Sequence, residues 1–310
     1  MKRPATMVLS ALLGIQLSAC NSYITRTLTQ SFSRIGEDIP DSPGKIVTPI
    51  LPNVHLAISW IGHATVLIQI HDKIIVTDPL FTKSIGLLVK RFVMPGIDPA
   101  VLARVDCTIV SHMHFDHLSF GSLDELPKEG ILVIADGMQE YTPEFGFAET
   151  VALKPWESIE HDGIKITAVP AQHFNGRYGI DILWTGERGY TGYVLEYEGI
   201  TVYFAGDTGY NTEIFKEIGR RFKIDLALIP IAPGSGFGVG SRVHVNPRGA
   251  VKILEDLGAK MMVPIHFGTM YYGTSPNPAA QIAELREAAR SEGVADRVLV
   301  LDVGEQRVIF

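Results

Sequence analysis

Cysteine is nearly absent from this chain, which has only Cys20 and Cys107 in 310 residues. A disulfide framework of the kind that holds small secreted domains together is therefore excluded. Cys107 lies in the apolar run Val105–Val110, and a thiol in such a run is typical of an inert, buried residue. The chain also lacks a Gly-x-Ser-x-Gly motif, so we expect no serine nucleophile of that type.

Basic residues are also fewer than acidic residues in this chain. The chain has 27 Lys and Arg residues against 34 Asp and Glu residues, which gives a formal net charge of −7. No nucleic-acid partner is expected, because nucleic-acid binders usually present a basic face. A nuclease stays open, since catalytic metal ions can supply positive charge locally. Hydrophobic residues make up 46% of the chain, which indicates a folded protein with a sizeable core.

No apolar run reaches the roughly 20 residues that a membrane-spanning helix needs. The chain begins instead with Lys2 and Arg3, the short apolar run Met7–Leu17, and small residues before Cys20. This order is typical of a secretory signal, and a cysteine directly after small residues resembles a bacterial lipobox. We expect residues 1–19 to be a signal peptide and Cys20 to be lipidated. The alternative is a fortuitous cysteine in a buried N-terminal helix.

The residue after this cysteine, Asn21, favours the bacterial outer membrane, with the protein facing the periplasm and held by its lipid anchor. Residues 20–52 mix Ser, Thr, Asp and Pro with little periodicity, which predicts a lipidated N-terminus followed by a tether or a wrapping arm. One domain is expected over residues 53–310. Its sequence contains no tandem repeat and no low-complexity tract.

Short apolar runs rich in β-branched residues predict many strands in this domain. They are Leu56–Trp60, Thr65–Ile70, Lys73–Thr77, Cys107–Ser111, Ile131–Ala135, Ile164–Val169, Gly192–Tyr197, Ile200–Phe204, Leu226–Pro230, Met261–Pro264, Val298–Asp302 and Arg307–Phe310. Helical patterns occupy Thr212–Arg221, Asn246–Leu257 and Asn277–Glu292. The order predicts a layered α/β fold with two packed sheets flanked by helices. Gly234–Gly240 is expected to be a flexible loop that borders a site.

The strongest chemical signal is a dense cluster of metal-binding residue types directly after a predicted strand. It has the form H-x-H-x-D-H and contains His112, His114, Asp116 and His117. Two histidines two residues apart can aim their imidazoles at one point, and the following turn brings the Asp-His pair to a second point. Imidazoles and carboxylates at this density are the ligands of a divalent metal, whereas a surface loop would rarely collect them.

Three more residues of ligand type each follow a predicted strand. They are His173, Asp207 and His266. The carboxyl ends of strands are where α/β folds gather their sites, so these residues are expected to join the cluster. Alone, each would more often be a structural residue.

Together these residues resemble the metallo-β-lactamase superfamily over about Val54 to Phe310. The resemblance implies a four-layer αβ/βα sandwich with two divalent metal ions at one edge of the sheets. Zinc is the usual occupant, and manganese or iron also occurs. Carried over by position, His112, His114 and His173 would hold the first metal, Asp116, His117 and His266 the second, and Asp207 would bridge both.

Finer motifs resemble the N-acylphosphatidylethanolamine-hydrolysing phospholipase D branch. They are Trp60-Ile61-Gly62-His63-Ala64-Thr65, Thr77-Asp78-Pro79, Ala171-Gln172-His173-Phe174, Phe204-Ala205-Gly206-Asp207-Thr208-Gly209-Tyr210 and His266-Phe267-Gly268-Thr269. The chain departs from that branch at Phe174, where the family usually has Trp, at Gly234–Gly240, and between Tyr178 and Tyr190. These segments are expected to line the substrate entrance.

The resemblance implies hydrolysis by a metal-bridging hydroxide that Asp116 or Asp207 orients. His63 and His244 are candidates for substrate contact. Each also has a structural alternative, as a core histidine and as the residue before a helix respectively. Asp78 is expected to orient a metal ligand. Arg177 is a candidate for binding phosphate, although an ordinary surface cation is the more common case.

Three functions stay open at this point. The first is a membrane-tethered phosphodiesterase of the phospholipase D type, acting on a phospholipid or a small phosphodiester. The second is a lactonase, esterase or amidase that uses the same metals. The third is a non-enzymatic metal-binding envelope protein, which the complete ligand set argues against.

Overall fold

The structure is a computed structural model, and it describes residues 28–86, 89–178, 181–234, 238, 240–271 and 278–310. The expected signal peptide, the lipidation site at Cys20 and most of the Gly234–Gly240 loop lie outside the described residues. Within the described part, no helix is long and apolar enough to span a membrane.

Two β-sheets form the centre of the molecule. The strands in chain order are β1 (Leu56–Gly62), β2 (Thr65–Ile70), β3 (Lys73–Thr77), β4 (Ser84–Ile85), β5 (Val89–Lys90), β6 (Cys107–Val110), β7 (Ile131–Ala135), β8 (Glu149–Leu153), β9 (Ser158–His161), β10 (Ile164–Val169), β11 (Gly192–Tyr197), β12 (Ile200–Phe204), β13 (Leu226–Pro230), β14 (Met261–Ile265) and β15 (Glu305–Val308). The first sheet has the order β15-β1-β2-β3-β6-β7-β8 and the second β14-β13-β12-β11-β10-β9, while β4 and β5 form a separate hairpin.

Helices lie outside the sheets. They are α1 (Phe120–Asp124), α2 (Ile182–Thr185), α3 (Thr212–Arg221), α4 (Pro247–Leu257) and α5 (Pro278–Ser291), with 3₁₀ turns at Pro99–Val101, Gln139–Tyr141 and Ala295–Arg297. Residues 28–33 are also helical. α4 contacts both β13 and β14 of the second sheet, and it packs between α3 and α5.

The core follows from the alternation of side chains along each strand. Ile58, Ile68 and Ile75 of the first sheet pack against buried residues of the second sheet. Leu67 and Val76 point to the opposite face and pack in a second cluster beneath α1 and its flanking loops. The expected layered α/β sandwich, with helices outside two packed sheets, is thereby confirmed.

Two of the predicted helices are capped as their sequences indicate. The Asn211 side chain accepts hydrogen bonds from the first turn of α3, and Asn246 accepts one from Gly249 N at 2.9 Å to begin α4. Gly258 ends α4 in the left-handed conformation, at φ 61°. This conformation is the reason for a glycine there, since other residues adopt it at a steric cost.

The prediction of a strand over Val298–Asp302 is wrong. Only Val298 forms a bridge, an isolated one to Met262, and Leu301 turns into the core with 2% of its surface exposed. A run of apolar residues predicts a strand, but these residues are apolar because they pack against the core. They pack on the edge of the second sheet without extending its ladder. The chain pairs again at β15, two residues earlier than the predicted Arg307–Phe310.

The described part of the expected tether lies against the domain. Ile46 is buried, and its backbone N–H donates to Gly96 O at 2.8 Å. Farther back, the Ser31 hydroxyl oxygen accepts a hydrogen bond from the backbone N–H of Lys90 at 3.2 Å. Residues 28–52 therefore wrap around the first sheet and reach the β4–β5 hairpin.

Candidate metal centre

The candidate ligands and their supports follow strands that end at the same edge of the two sheets. β1, β3 and β6 of the first sheet run toward this edge, as do β10, β12, β13 and β14 of the second. The residues that follow them therefore meet in one place.

His112, His114 and His173 form the first group of potential ligands. His112 Nε2 lies 2.9 Å from His114 Nδ1, and His173 Nε2 lies 3.3 Å from that same nitrogen. The three ring nitrogens lie within 4.8 Å of one another and can point at a single cation. The structure thus brings together the three histidines that the resemblance assigns to the first metal.

Asp116, His117 and His266 form the second group. The Nε2 atoms of His117 and His266 are 3.1 Å apart. Asp116 Oδ2 lies 3.6 Å from the first of these nitrogens and 3.5 Å from the second. The two histidines are separated by 149 residues in the chain, so only the folded sandwich creates this group.

Asp207 lies between the two groups. Its Oδ2 is 4.0 Å from both His112 Nε2 and His173 Nε2, whereas its Oδ1 is 3.1 Å from His266 Nε2. The side chain is buried. One carboxylate therefore faces both groups, as a bridging ligand would.

The other nitrogens of these rings show that the site suits metal ions. Nδ1 of His173 donates to Val243 O at 2.9 Å, and Nδ1 of His266 donates to Ala232 O at 2.8 Å. Nδ1 of His117 lies 2.6 Å from a carboxylate oxygen of Asp78, which can only accept while ionised.

Nε2 of His117 and Nε2 of His266 face each other at 3.1 Å. Burial opposes charge on His117, but the Asp207, Asp116 and Asp78 carboxylates raise the pKa of this imidazole well above its ordinary value, so without a metal ion a proton lies between the two nitrogens. A divalent cation can take the place of that proton. A carbonyl or carboxylate behind the distal nitrogen is the usual support of a metal-binding imidazole.

Asp78 and Ser111 support the ligand loop from beneath. Asp78 Oδ1 accepts from Ser111 N at 2.7 Å, and Oδ2 accepts from the Ser111 hydroxyl at 2.6 Å. The serine oxygen in turn lies 2.9 Å from Nδ1 of His112. Asp78 lies where an orienting group was predicted, whereas nothing beyond its place in the motif pointed to Ser111.

His63 is completely enclosed. Its Nε2 lies 3.1 Å from Asp116 Oδ2, and its ring lies against that of His266 with 4.2 Å between centroids. Burial foremost lowers the pKa of His63 to about 3, so it is a neutral donor to the carboxylate. Its position beneath Asp116 indicates support of that carboxylate more than the substrate contact considered from the sequence.

His244 lies at the mouth of the site. Its Nδ1 is 3.5 Å from Asp207 Oδ2, and 20% of its side chain is exposed. Within the described chain this nitrogen has no hydrogen-bond partner. Burial lowers the pKa of His244 to about 3, so the imidazole is neutral near pH 7. This geometry suits the substrate contact predicted for His244.

Burial and neighbouring charges set the protonation of the other groups. Burial opposes charge on Asp116 and Asp207, but adjacent histidines, His117 among them, hold the pKa of both carboxyls well below the ordinary value. Burial lowers the pKa of His114 to about 3. The site therefore presents ionised carboxylates and mostly neutral imidazoles near neutral pH, which are the forms that bind a metal.

Exposed aromatic side chains surround the entrance. Phe115 and Phe174 are each 40% exposed, and Tyr178 is 62% exposed. The Phe174 ring contacts the His114 ring, and the Phe115 and Tyr178 rings are 6.0 Å apart. Beyond them, α2 carries Trp184, which is 61% exposed. Adjacent Leu183 is 83% exposed, so the entrance has an apolar rim.

Comparison with known proteins agrees with this site. The family described as a β-lactamase superfamily domain matches residues 73–267. N-acyl-phosphatidylethanolamine-hydrolyzing phospholipase D 1 of Caenorhabditis elegans is 31% identical over 270 residues, which cover 80% of this chain and 74% of the relative. A metal-dependent hydrolase of Methanopyrus kandleri is 30% identical over 257 residues, covering 81% of this chain and 98% of that protein.

Among solved structures, a possible metal-dependent hydrolase from Veillonella parvula superposes with a TM-score of 0.66 at 17% identity. The match covers 83% of this chain and 100% of the other. At that identity the likeness concerns the fold.

Proposed function

The chain belongs to the metallo-β-lactamase superfamily of hydrolases, and from this membership we propose that it is a phosphodiesterase with two divalent metal ions, of the phospholipase D type. The observation that carries the proposal is the place of Asp207 between the two ligand groups, with Oδ2 at 4.0 Å from His112 Nε2 and Oδ1 at 3.1 Å from His266 Nε2. A two-metal site is suited to phosphodiester hydrolysis, because it can stabilise both the attacking and the leaving oxygen. The histidine-rich ligand set favours zinc.

Bound metal ions would polarise the phosphoryl oxygen and lower the pKa of water toward neutrality. The chain itself supplies orientation. Asp116 is held by His63 at 3.1 Å, so its carboxylate has a fixed direction from which to accept a proton of the attacking water. Neutral His244, at the mouth beside Asp207, can donate a hydrogen bond to a substrate oxygen.

The apolar rim supports a substrate with an acyl chain or another large apolar group. The Phe174 ring packs against His114, with 4.5 Å between the ring centroids, so an apolar part of the substrate can contact Phe174 while its phosphodiester reaches the metal ligands. The Caenorhabditis elegans relative bears the name of an enzyme for such a lipid. N-acylphosphatidylethanolamine is therefore the first substrate to test.

The testing experiment uses the full chain in detergent micelles. Hydrolysis of N-acylphosphatidylethanolamine and of bis(p-nitrophenyl) phosphate is followed, and bound metal is measured on the same samples. We expect turnover with about two metals per chain. Asp207→Ala and His112→Ala should abolish it. His161→Ala, which alters a partly exposed histidine on β9, is the matched control and should be fully active.

Other outcomes would identify the competing functions. Hydrolysis of lactones, esters or amides but of neither phosphodiester would replace the proposal with C–O or C–N bond cleavage on the same metals. Two bound metals without turnover of any of these substrates would indicate the non-enzymatic metal-binding role.

We also propose that the protein is anchored in the bacterial envelope through lipidated Cys20, on the outer membrane facing the periplasm. The motivation is the N-terminal sequence alone. Metabolic labelling with radioactive palmitate tests it, with Cys20→Ala as the unlabelled control and Cys107→Ala as a second cysteine variant. Absence of label from the parent chain would contradict the anchor.

A further inference from the structure

Arg177 is a buried cation beside the ligand loop, four residues after His173. Only 7% of its surface is exposed, although an ordinary surface role was the more common expectation for such a residue. Burial lowers the pKa of its guanidinium, which shows that the environment opposes its charge. Removing a cation from water is unfavourable, so its contacts must offset the loss of hydration.

The guanidinium lies between two aromatic rings and donates one directional hydrogen bond. Its carbon is 4.4 Å from the Phe115 ring centroid and 4.3 Å from that of Phe120. Its NH1 donates to the backbone carbonyl of Met113 at 2.7 Å. The ring faces stabilise the charge, and the planar donor group fixes the carbonyl in direction as well as in distance.

The backbone of Arg177 is fixed as firmly as its side chain. Its N–H donates to Asp181 Oδ2 at 2.6 Å, and Tyr178 N–H donates to Asp181 Oδ1 at 2.9 Å. Asp181 is fully buried, and burial alone would raise the pKa of its carboxyl. The hydrogen bonds that it accepts outweigh this effect and lower the pKa. Arg177 is thus a rigid point from which another segment can be held.

The two residues that Arg177 contacts in the ligand loop alternate with the ligands. Met113 lies between His112 and His114, and Phe115 lies between His114 and Asp116. By holding both, Arg177 fixes the back of the loop while the ligands point the other way.

Arg177 lies on the same segment as His173 and contacts the loop that carries His112 and His114. This one residue therefore connects the three histidines of the first ligand group. We propose that Arg177 is a positioning residue that sets the spacing of His112, His114 and His173 for metal binding. The inference concerns the metal centre and holds whichever substrate is hydrolysed.

The test measures metal binding by the full chain and needs no substrate. Arg177→Ala and Arg177→Lys are compared with Arg188→Ala, which removes an exposed arginine whose guanidinium lies 4.0 Å from Asp136. Zn²⁺ affinity is measured by competition with a chromophoric chelator. The absorption bands of Co²⁺-loaded protein report the geometry of the ligands.

We expect Arg177→Ala to weaken Zn²⁺ affinity about 10- to 100-fold at the more strongly affected of the two metal sites. Loss of a residue behind a metal ligand usually has an effect of this size. Its Co²⁺ bands should shift, and guanidinium ion at millimolar, non-denaturing concentration should restore affinity by occupying the space between the rings. Arg177→Lys should remain weak, because an ammonium cannot lie flat between two rings and reach Met113 O. Arg188→Ala should match the parent.

The proposal is overturned if Arg177→Ala binds Zn²⁺ and Co²⁺ as the parent does and loses only thermal stability. In that case Arg177 contributes to the packing of the domain and has no role in metal binding. If the alanine variant fails to fold, the lysine variant decides by the same two measurements, since parental affinity and spectrum in that variant would equally refute the role.

Discussion

Asp78 accepts three hydrogen bonds where β3 ends, two from Ser111 and one from His117. The bond to His117 Nδ1 decides which ring nitrogen carries the proton. It holds a proton on Nδ1, so Nε2, which is directed at His266, is the nitrogen that a metal ion can bind. A single carboxylate therefore keeps His117 in the tautomer that can bind a metal.

Replacing Asp78 with Asn should expose this dependence. The amide group would present N–H groups where Oδ2 now accepts, so Nδ1 of His117 could no longer donate there, and the neutral ring would carry its proton on Nε2. We expect metal affinity to fall about 10- to 100-fold, measured by chelator competition. Asp106→Asn is the matched control, because Asp106 accepts from Ile74 N at the start of β3, far from the ligands. Equal losses in both variants would count against the tautomer argument.

His63→Asn separates support of Asp116 from contact with substrate. Asparagine tolerates the left-handed backbone of His63, at φ 59°, but its side chain is too short to reach the carboxylate. We expect kcat to fall about 10- to 100-fold with KM nearly unchanged. Steady-state kinetics on bis(p-nitrophenyl) phosphate measure both constants. A raised KM at unchanged kcat would instead assign His63 to substrate binding.

The residues of the site were predictable to different degrees. The seven ligand-type residues were found because their chemical type and their place after strands recur together. The contacts of Ser111 and Arg177 could not be found, since they depend on which segments fold next to each other. A serine beside a histidine and an arginine in a loop are too common to be informative alone.

At the scale of elements, buried strands were predicted, whereas the two exposed edge strands β8 and β9 were missed. β6 and β7 consist almost wholly of buried apolar residues, which the sequence shows directly. β8 and β9 lie at the open edges of the two sheets, and their residues are mostly exposed or half-buried. Their strand conformation comes from pairing with a neighbour, for which a single sequence contains no pattern.

The short helix α2 provides a test of the apolar rim. Leu183→Ser combined with Trp184→Ser should leave hydrolysis of soluble bis(p-nitrophenyl) phosphate unchanged, because neither residue touches the ligands. Turnover of N-acylphosphatidylethanolamine in phospholipid vesicles should fall several-fold, since exposed apolar area favours contact with lipid. Val47→Ser, at a side chain 73% exposed on the N-terminal arm, is the control. Equal loss on both substrates would indicate damage to the site instead.

At the scale of the molecule, the metal centre should stabilise the fold. Ligands that follow strands of both sheets converge on it, so metal ions would link the two sheets and would bind only the folded chain. Chelation should therefore lower the melting temperature, and added Zn²⁺ should raise it further as its free concentration rises. Differential scanning calorimetry of the chelated and reloaded protein measures this. An unchanged melting temperature would contradict metal binding by the folded state.

The chelated protein should also lose stability in mild acid. Burial foremost lowers the pKa of His63, His114 and His244 from 6.5 to about 3, so between these values the unfolded chain binds more protons. Stability then falls with falling pH, by up to about 1.4 kcal/mol per pH unit for each histidine. His117 has a raised pKa, and its contribution is already complete below pH 6.5. Urea unfolding at pH 6.5 and 4.5 measures the difference, and higher stability at pH 4.5 would refute it.

The wide separation of the ligands along the chain has a consequence for biogenesis. His117 and His266 stand 149 residues apart and belong to different sheets, so neither half of the sandwich can assemble the centre alone. A nascent or half-folded chain offers the clustered residues His112 to His117 but not the complete ligand set, and pairing of such distant segments comes late in folding. We therefore expect the protein to acquire its full set of cations only after folding, from the pool of the compartment where folding finishes. The metal ions available in that compartment, more than the intrinsic preference of the ligand set, would then determine which metal the mature protein contains.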